Sequence, residues 1–576
     1  MSESAQSEAP HSDDLGPVVW TTPTTVVVLQ GRVARAENAA DFSVLWLRTR
    51  PTSQAALLNE QAIHQAEGPA GHTPLAMMVG AMVEFAREFG ADRDSRAWEL
   101  DQLTGLIRTT SSPALRELGD PPLGSKRAAS LVDQRSLREH RLEHLGLEER
   151  GLVDPIAAHL GATVTDAIGW TTLAPSSGTT PVIARGSARR LTWSGQHRSF
   201  AMSRRAALLE GTERLSGSHQ LSGEATVSTA RALAGPVLTP LDFDSIPDSS
   251  YGGDIERFDP DRLHEWVRAT SMSTCSPVWI PREYVYFAEV PHHDRWALGS
   301  SSGCATGSSV DEATLFGLLE LVERDTFVNS WYGGIPPIPV DPMTVAGAAE
   351  LVVRAALLGW PMQLALLRNT WGIPVFVATV NTKTVRVFGA AAHLDLETAA
   401  RRAIAEAFAY APGRIAELSE RSGRAAELLA NPWLAQNIDD HPLLPVASAH
   451  QDYGTMCGEP GLAIKVSRAR EHASAGAELL SRATPDNSRG VRIAELADGL
   501  TELLSADGVE TYRVVQTAPF QVPLGLHTVM ALAPSLSQLD FGWDAQRVRT
   551  SSRPERQAVR LTGRPGTPRL LPHPFS

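Results

Sequence analysis

The residues of this chain best placed to do chemistry fall in two short stretches that share a pattern. Leu208-Leu209-Glu210-Gly211-Thr212-Glu213-Arg214 and Leu318-Leu319-Glu320-Leu321-Val322-Glu323-Arg324 both read Leu-Leu-Glu-x-x-Glu-Arg. Residues three apart share a helix face, so each copy projects two carboxylates side by side with an arginine next to them. Like charges at that spacing cost roughly 0.2–0.5 kcal/mol on a solvated helix, and more when buried, unless a cation lies between them. Two such pairs face to face would make a four-carboxylate cage of oxygen donors. Hard divalent cations take oxygen ligands, and Mg²⁺ commonly adds water and phosphate oxygens. The chemistry implied is a metal–nucleoside triphosphate site. Ordinary surface helix is the competing reading of one copy; the repetition, and the apolar Leu-Leu beside each pair, weaken it. A carboxylate-bridged di-iron bundle needs Glu-x-x-His on two helices, and neither copy has that histidine.

Upstream of the second pair runs Ser300-Ser301-Ser302-Gly303-Cys304-Ala305-Thr306-Gly307-Ser308-Ser309. Its glycines would let backbone approach a ligand, and Ser308 or Ser309 is a candidate N-cap for the helix that follows. It lacks the Gly-Lys-Ser/Thr ending of a P-loop. A structural turn and an anion cradle at a helix N-terminus are its two readings. Arg214 and Arg324 either neutralise phosphate or pair with their own glutamates. Cys304 has no sequence neighbour to activate it and reads as a packing residue, and His292-His293-Asp294 reads as a polar turn.

The elements that must position these groups alternate along the chain. Helical spacing covers Pro74–Phe89, Arg204–Leu215, Asp311–Trp331, Thr344–Leu358, Leu396–Phe408, Ala473–Ala483 and Val491–Leu504. Strands are expected at Thr24–Gln30, Val278–Ile280, Tyr284–Ala288, Met362–Leu367, Val375–Val380, Val385–Gly389 and Val509–Val515. Interleaving of this kind predicts an α+β, mixed α/β fold. At 576 residues more than one domain is expected. Residues 1–16 read as a disordered acidic tail. Residues 17–150, including a charged helical stretch from Asp133 to Arg150, read as a small α+β module, 151–576 as the main domain, and 564–576 as a proline-rich end.

With 52 basic and 65 acidic residues the net charge is −13, which argues against a general nucleic-acid or anionic-membrane binder. Three scattered cysteines are too few for a disulfide framework or a Cys-rich zinc site, and a reduced, cytoplasmic setting is expected. Neither a signal peptide nor a membrane span is expected.

The segment SSGCATGSSVDEATLFGLLELVERDTF resembles the signature of the YcaO family, and LLEGTERLSG resembles that family's earlier SxxxExxER motif. GAAAHLDLETAARRAIAEAFA is similar to its third nucleotide-binding segment, and ETYRVVQTAPFQVPLGLHTVMALAPSL to the strand pair near the end of its domain. The similarity covers roughly 151–576. It implies an ATP- and Mg²⁺-dependent enzyme that acts on the backbone of a ribosomally made precursor peptide. In azoline-forming members a Cys, Ser or Thr side chain attacks the preceding amide carbonyl, and phosphorylation turns the poor oxygen leaving group into a good one. The resemblance places the metal-binding carboxylates at Glu210, Glu213, Glu320 and Glu323. It places nucleotide contacts at those residues and at or beside Arg214, Arg324, Ser301, Ser308 and Glu406. Many azoline-forming members end in Pro-x-Pro-x-Pro, with a terminal carboxylate that enters the active site; Pro572, Pro574 and Ser576 match that tail with two of its three prolines.

Three positions depart from the family pattern: Ala206 replaces the serine that opens the first motif, Gly195-Gln196-His197 stands for Gly-Lys-Gly, and Ser302 replaces an asparagine. They bear on nucleotide contacts rather than on the four carboxylates. The resemblance further implies a leader-peptide-binding partner of the E1-like/ThiF-like kind, a flavin-dependent azoline dehydrogenase where azoles are the product, and a homodimer. The same ATP chemistry directed to thioamides or amidines is an alternative that the proline-rich tail argues against. An impaired homologue acting as a scaffold is another, which the retained carboxylates argue against.

Overall fold

The computed structural model describes residues 131–139, 200–218, 220, 225–252, 255–287, 295–446, 451–485, 488–518, 521–522 and 525–575. It also gives the backbone of strands at 18–21, 25–30, 64–65, 95–101, 107–112, 170–173, 180–185 and 192–197. The expected acidic tail, the expected helix Pro74–Phe89, His292-His293-Asp294 and Ser576 lie outside the described residues.

The chain forms two compact units. The smaller comprises residues 1–119, 146–172 and 183–193. It contains an antiparallel sheet in the order His64–Gln65, Val18–Thr21, Thr25–Gln30, Ser95–Asp101, Ile107–Ser112. The β-branched run Thr25–Gln30 is the strand expected there, paired on both sides.

The larger unit comprises residues 120–145, 173–182 and 194–576. Leu131–Asp133 pairs antiparallel with Gly490–Arg492, so a segment expected in the N-terminal module belongs to the larger unit. The stretch expected to be helical from Asp133 instead begins at the end of this strand and continues as a turn through Ser136. Asp133 explains the turn: its carboxylate accepts the N–H groups of Arg135 and Ser136, an alternative to helical bonding.

The helices that matter below are α1 (Phe200–Ser218), α2 (Val310–Gly333), α3 (Ala349–Leu357), α4 (Leu396–Glu420), α5 (Ile493–Ala506) and α6 (Arg553–Thr562). Helix α2 is the centre of the unit. It is buried on all but one narrow face, as a helix at the centre of a core must be. Ser309 caps its N-terminus, accepting the Glu312 N–H at 3.1 Å, and Gly334 closes its C-terminus in the left-handed conformation.

Two antiparallel sheets carry the remainder. One has the order Thr226–Ser228, His264–Ser271, Tyr512–Val515, His527–Leu532, Cys304–Gly307, with Pro277–Pro281 also paired to His264–Ser271. The other is a meander of Ile338–Val340, Met362–Leu367, Val375–Asn381 and Arg386–Ala392. Alternation along its strands sorts the meander's two faces. Val375 and Val377 join the core around α2 and α5, while Phe376, Ala378 and Val380 join the core beneath α3 and α4.

The strand expected at Tyr284–Ala288 is not formed; Arg282–Val285 is one helical turn. Pro281 ends the preceding strand, and Tyr284, Val285 and Tyr286 are all buried in place of alternating. Helix α4 runs beyond the expected Phe408, through Pro412, to Glu420. The expected Thr344–Leu358 helix is a short 3₁₀ turn, Pro342–Thr344, followed by α3. Among the described residues no helix is long and apolar enough to cross a membrane.

Candidate active site

Between Glu312 and Gly333 the side chains of α2 are buried except Phe316, Glu320, Glu323 and Arg324. Their spacing of four, three and one puts them on one helix face. Carboxylates on two other helices, α1 and α4, act electrostatically on this face.

The strand Cys304–Gly307 lies at the edge of its sheet, and the site is built on its open side. Thr306 stands opposite Thr528, and its backbone polar groups are taken by side chains: its N–H donates to Glu213 Oε2 at 2.6 Å, and its carbonyl accepts from Arg138 Nη1 at 2.9 Å. The Gly303 N–H donates to Glu320 Oε2 at 2.9 Å, and the Ala392 N–H, at the end of the meander, to Glu323 Oε2 at 2.7 Å. Arg214 Nε donates to Glu210 Oε1 at 2.9 Å, and Arg324 Nη2 to Glu320 Oε1 at 2.6 Å. Arg324 Nη1 also reaches Ser302 Oγ at 3.0 Å.

Glycines 303 and 307 serve packing. A Cβ on Gly303 would lie 2.1 Å from the Ala531 carbonyl oxygen, and one on Gly307 would lie 2.7 Å from the Ala313 nitrogen. The segment read as a turn or cradle is therefore a strand pressed against the start of α2. The N-terminus of that helix is occupied by the chain's own carboxylates: Ser309 Oγ donates to Glu139, and Glu312 Oε2 accepts the Glu139 N–H at 2.8 Å. Ser308 lines a cavity of about 270 Å³ together with Glu210, Glu213, Arg138 and Ala206. Ser301 contributes a carbonyl to the turn, accepting the Cys304 N–H at 3.0 Å. Cys304 is buried, and burial pushes its thiol well up, away from thiolate.

The carboxylates act on one another. Burial, then the fields of Glu320 and Glu210, push Glu213 up to about 8. Burial and Glu320 push Glu323 up to about 7. Burial, with Glu323 and Glu210, holds Glu406 well above the usual carboxylate range. Five carboxylates from three helices thus close an electrostatic ring: Glu210, Glu213, Glu320, Glu323, Glu406 and back to Glu210. Among the described residues no three His, Cys, Asp or Glu side chains converge on one metal position. The four glutamates expected to form a single cage are instead held by backbone N–H groups and two arginines, and of the four Glu210 and Glu213 line a common cavity. The donor set still fits a hard divalent cation: it is all oxygen, and its mutual repulsion is relieved by positive charge.

Two cations escaped the sequence reading. Arg402, one turn before Glu406 on α4, makes no hydrogen bond or ion pair among the described residues and lies 5.6 Å from the centre of the Phe316 ring. Burial, with Arg138 and Arg401, lowers it to about 10. Arg138 lies 3.8 Å from the centre of the same ring and ion-pairs with Glu312 at 2.8 Å. The i,i+4 spacing of Arg402 and Glu406 was a signal for the first; Arg138 gives none, because the strand pairing of Leu131–Asp133 brings it here.

The C-terminal segment threads into the same core. Leu571, Pro572, His573 and Pro574 are buried. Tyr453 donates to the Pro572 carbonyl at 2.9 Å, and His441 Nδ1 to the His573 carbonyl at 2.6 Å. Pro574 and Phe575 line a small cavity with Glu406, Tyr410 and Arg386.

A family model described as "YcaO cyclodehydratase, ATP-ad Mg2+-binding" matches residues 194–537, more than half of the chain and all five carboxylates. The chain belongs to the YcaO family. ATP and Mg²⁺ are the cofactors of that family, and the YcaO region here contains the ring, Arg402 and both ExxER helices. A structure titled as a heterocyclase in complex with substrate and cofactor is similar over 98% of this chain and 78% of its own, at 18% identity and a TM-score of 0.65. The heterocyclase TruD is similar over 96% of this chain and 74% of its own, at 19% identity and a TM-score of 0.55. These likenesses establish the fold. An uncharacterised protein of Mycobacterium tuberculosis is 29% identical over 231 residues, which are 35% of this chain and 52% of that protein. The chain spans about half the length of the curated relatives it matches.

Proposed function

We propose that this YcaO protein is an ATP-dependent peptide cyclodehydratase that converts Cys, Ser or Thr residues of a ribosomal precursor peptide to thiazolines or (methyl)oxazolines. The observation that supports the reading is the set of five carboxylates from three helices that act on one another, within the region matched by the ATP- and Mg²⁺-binding family model. When bound, MgATP supplies the phosphoryl group that makes the amide oxygen a leaving group. Glu210, Glu213, Glu320, Glu323 and Glu406 offer oxygen donors for the cation. Arg402, one turn before Glu406, is the cation that counters phosphate charge, and Arg324 holds Glu320 in place against Gly303.

In this reading the tail residues Pro572, Pro574 and Ser576 complete the active site. The proximity of Pro574 and Phe575 to Glu406 supports that role, and it favours ring formation over thioamide or amidine chemistry. The precursor peptide is delivered by a leader-binding partner of the E1-like/ThiF-like kind, with the N-terminal unit as the docking candidate. A flavin-dependent dehydrogenase follows where azoles are made, and the working state is a homodimer.

The test follows the oxygen. With a heavy-oxygen label in the amide carbonyl before the reacting residue, the reading expects the label in the released phosphate. Unlabelled phosphate, its fourth oxygen taken from solvent, contradicts it.

A further inference from the structure

A second cavity, of about 550 Å³, opens where the end of the meander, the N-terminus of α4 and the helix Ala475–Arg482 meet. Gly476 lets that helix come down on the chain after the meander: a Cβ there would lie 2.3 Å from the Leu394 carbonyl oxygen. At the other end Gln134 Nε2 donates to Thr484 Oγ1 at 3.1 Å, tying the segment 131–139 to the residues after the helix. Leu394, Leu396 and Leu480, all buried, give the cavity an apolar wall, and Arg470 and Ser481 add polar groups. Ligand sites commonly combine a volume of about 300–1,000 Å³ with apolar lining and a few such polar groups.

The charges around it are uneven. The Arg470 guanidinium makes no hydrogen bond or ion pair among the described residues. Arg135 and Arg489, exposed and also without ion pairs among the described residues, follow the lining residues Gln134 and Ser488. Asp395 is the acid in the lining, and its Oδ1 is engaged as the cap of α4, accepting the Thr398 N–H at 2.9 Å. Glu471, beside Arg470, is exposed and outside the lining. In a chain of net charge −13, arginines left without acids favour an acidic ligand.

The cavity shares its walls with the carboxylate site. Leu394 is two residues from Ala392, whose N–H holds Glu323, so about 7 Å at most separates the two backbones. Gln134 stands four residues before Arg138, which lines the cavity of Glu210 and Glu213. An extended chain lying over Leu394 therefore reaches the carboxylates within about two or three residues.

We propose that this cavity seats the precursor peptide beside its reacting residue, with an apolar side chain against Leu394, Leu396 and Leu480 and a carboxylate on Arg470. The seat rests on the peptide-cyclodehydratase reading above and adds a recognition rule to it: an acidic residue close to the modified one.

The experiment measures equilibrium binding of MgATP and of two labelled synthetic peptides to the full chain and two variants. The peptides share a Leu and a Cys and differ at one residue between them, Glu or Lys. The wild-type chain is expected to bind the Glu peptide more tightly, and Arg470→Glu to invert that order with MgATP affinity unchanged. Ala477→Trp, at an exposed helix position inside the cavity, fills the seat and weakens both peptides by about tenfold or more, again without changing MgATP affinity. Equal affinity of the wild-type chain for the two peptides, unchanged peptide affinity in Ala477→Trp, or MgATP affinity that falls with it, overturns the seat. Binding that obeys these rules, without ring formation on a leader-bearing precursor supplied with MgATP and the leader-binding partner, overturns cyclodehydration and leaves the seat standing.

Discussion

Trp331, near the C-terminal end of the central helix α2, donates its indole N–H to the carbonyl of Leu571 at 2.8 Å. About two to three turns earlier the same helix carries Glu320, Glu323 and Arg324, so the helix that bears two of the five carboxylates also anchors the C-terminal segment. Trp331→Phe keeps the ring but leaves a buried carbonyl without its donor, a loss of about 1–3 kcal/mol. Urea denaturation of the two proteins measures it; an unchanged midpoint contradicts the anchoring.

The tail is also held by two histidines kept neutral by burial. His441 is lowered to about 4, and His573 lies well below its usual value. A group with a depressed folded-state pKa adds stability above its unfolded value, near 6.5, and loses it as pH falls toward the folded value. Stability should therefore fall between about pH 6.5 and 4, and fall less in His441→Gln. Denaturation midpoints at pH 7 and pH 5 make the comparison, and identical pH dependence in the two proteins would rule the mechanism out.

The ring of carboxylates has the opposite sign. Glu213 at about 8 and Glu323 at about 7 are raised, so ionising them penalises the folded chain as pH climbs from about 4.5 to about 8. A cation that relieves the penalty should raise the melting temperature more at pH 8 than at pH 6. Glu213→Gln removes one charge and should shrink the Mg²⁺-induced shift while leaving the metal-free protein at least as stable. A shift independent of both pH and Glu213 would mean that Mg²⁺ binds elsewhere.

Asp325 follows the second ExxER motif directly, yet its role is structural. Its oxygens take Arg553 Nε at 2.6 Å and Nη2 at 2.9 Å, and the Ser537 N–H at 2.8 Å. Breaking a buried pair costs about 3–5 kcal/mol, so Asp325→Asn should destabilise the fold, whereas Glu320→Gln should abolish ATP turnover and leave melting nearly unchanged. Melting curves and turnover of the two variants separate the roles.

The helices, and the carboxylates they carry, were legible because both are local: α2 and α4 announce themselves by apolar spacing, and Glu-x-x-Glu-Arg is a pattern within one turn. The strand Cys304–Gly307 was not, because its Ser-, Thr- and Gly-rich flanks carry loop composition and only pairing with His527–Leu532 makes it a strand. Tyr284 misled for the related reason that burial on both sides mimics a strand pattern. Arg138 and Arg402 meet over the Phe316 ring from segments far apart in sequence, and no spacing rule connects them. The backbone N–H groups of Gly303, Thr306 and Ala392 that hold the glutamates have no side-chain signature at all.

The most direct measurement is mass spectrometry of a Cys-, Ser- and Thr-containing precursor peptide incubated with this protein, its leader-binding partner, ATP and Mg²⁺. The account predicts loss of one water per modified residue with one phosphate released for each, and neither in Glu320→Gln. A peptide of unchanged mass, from a wild-type protein that binds ATP, would contradict it.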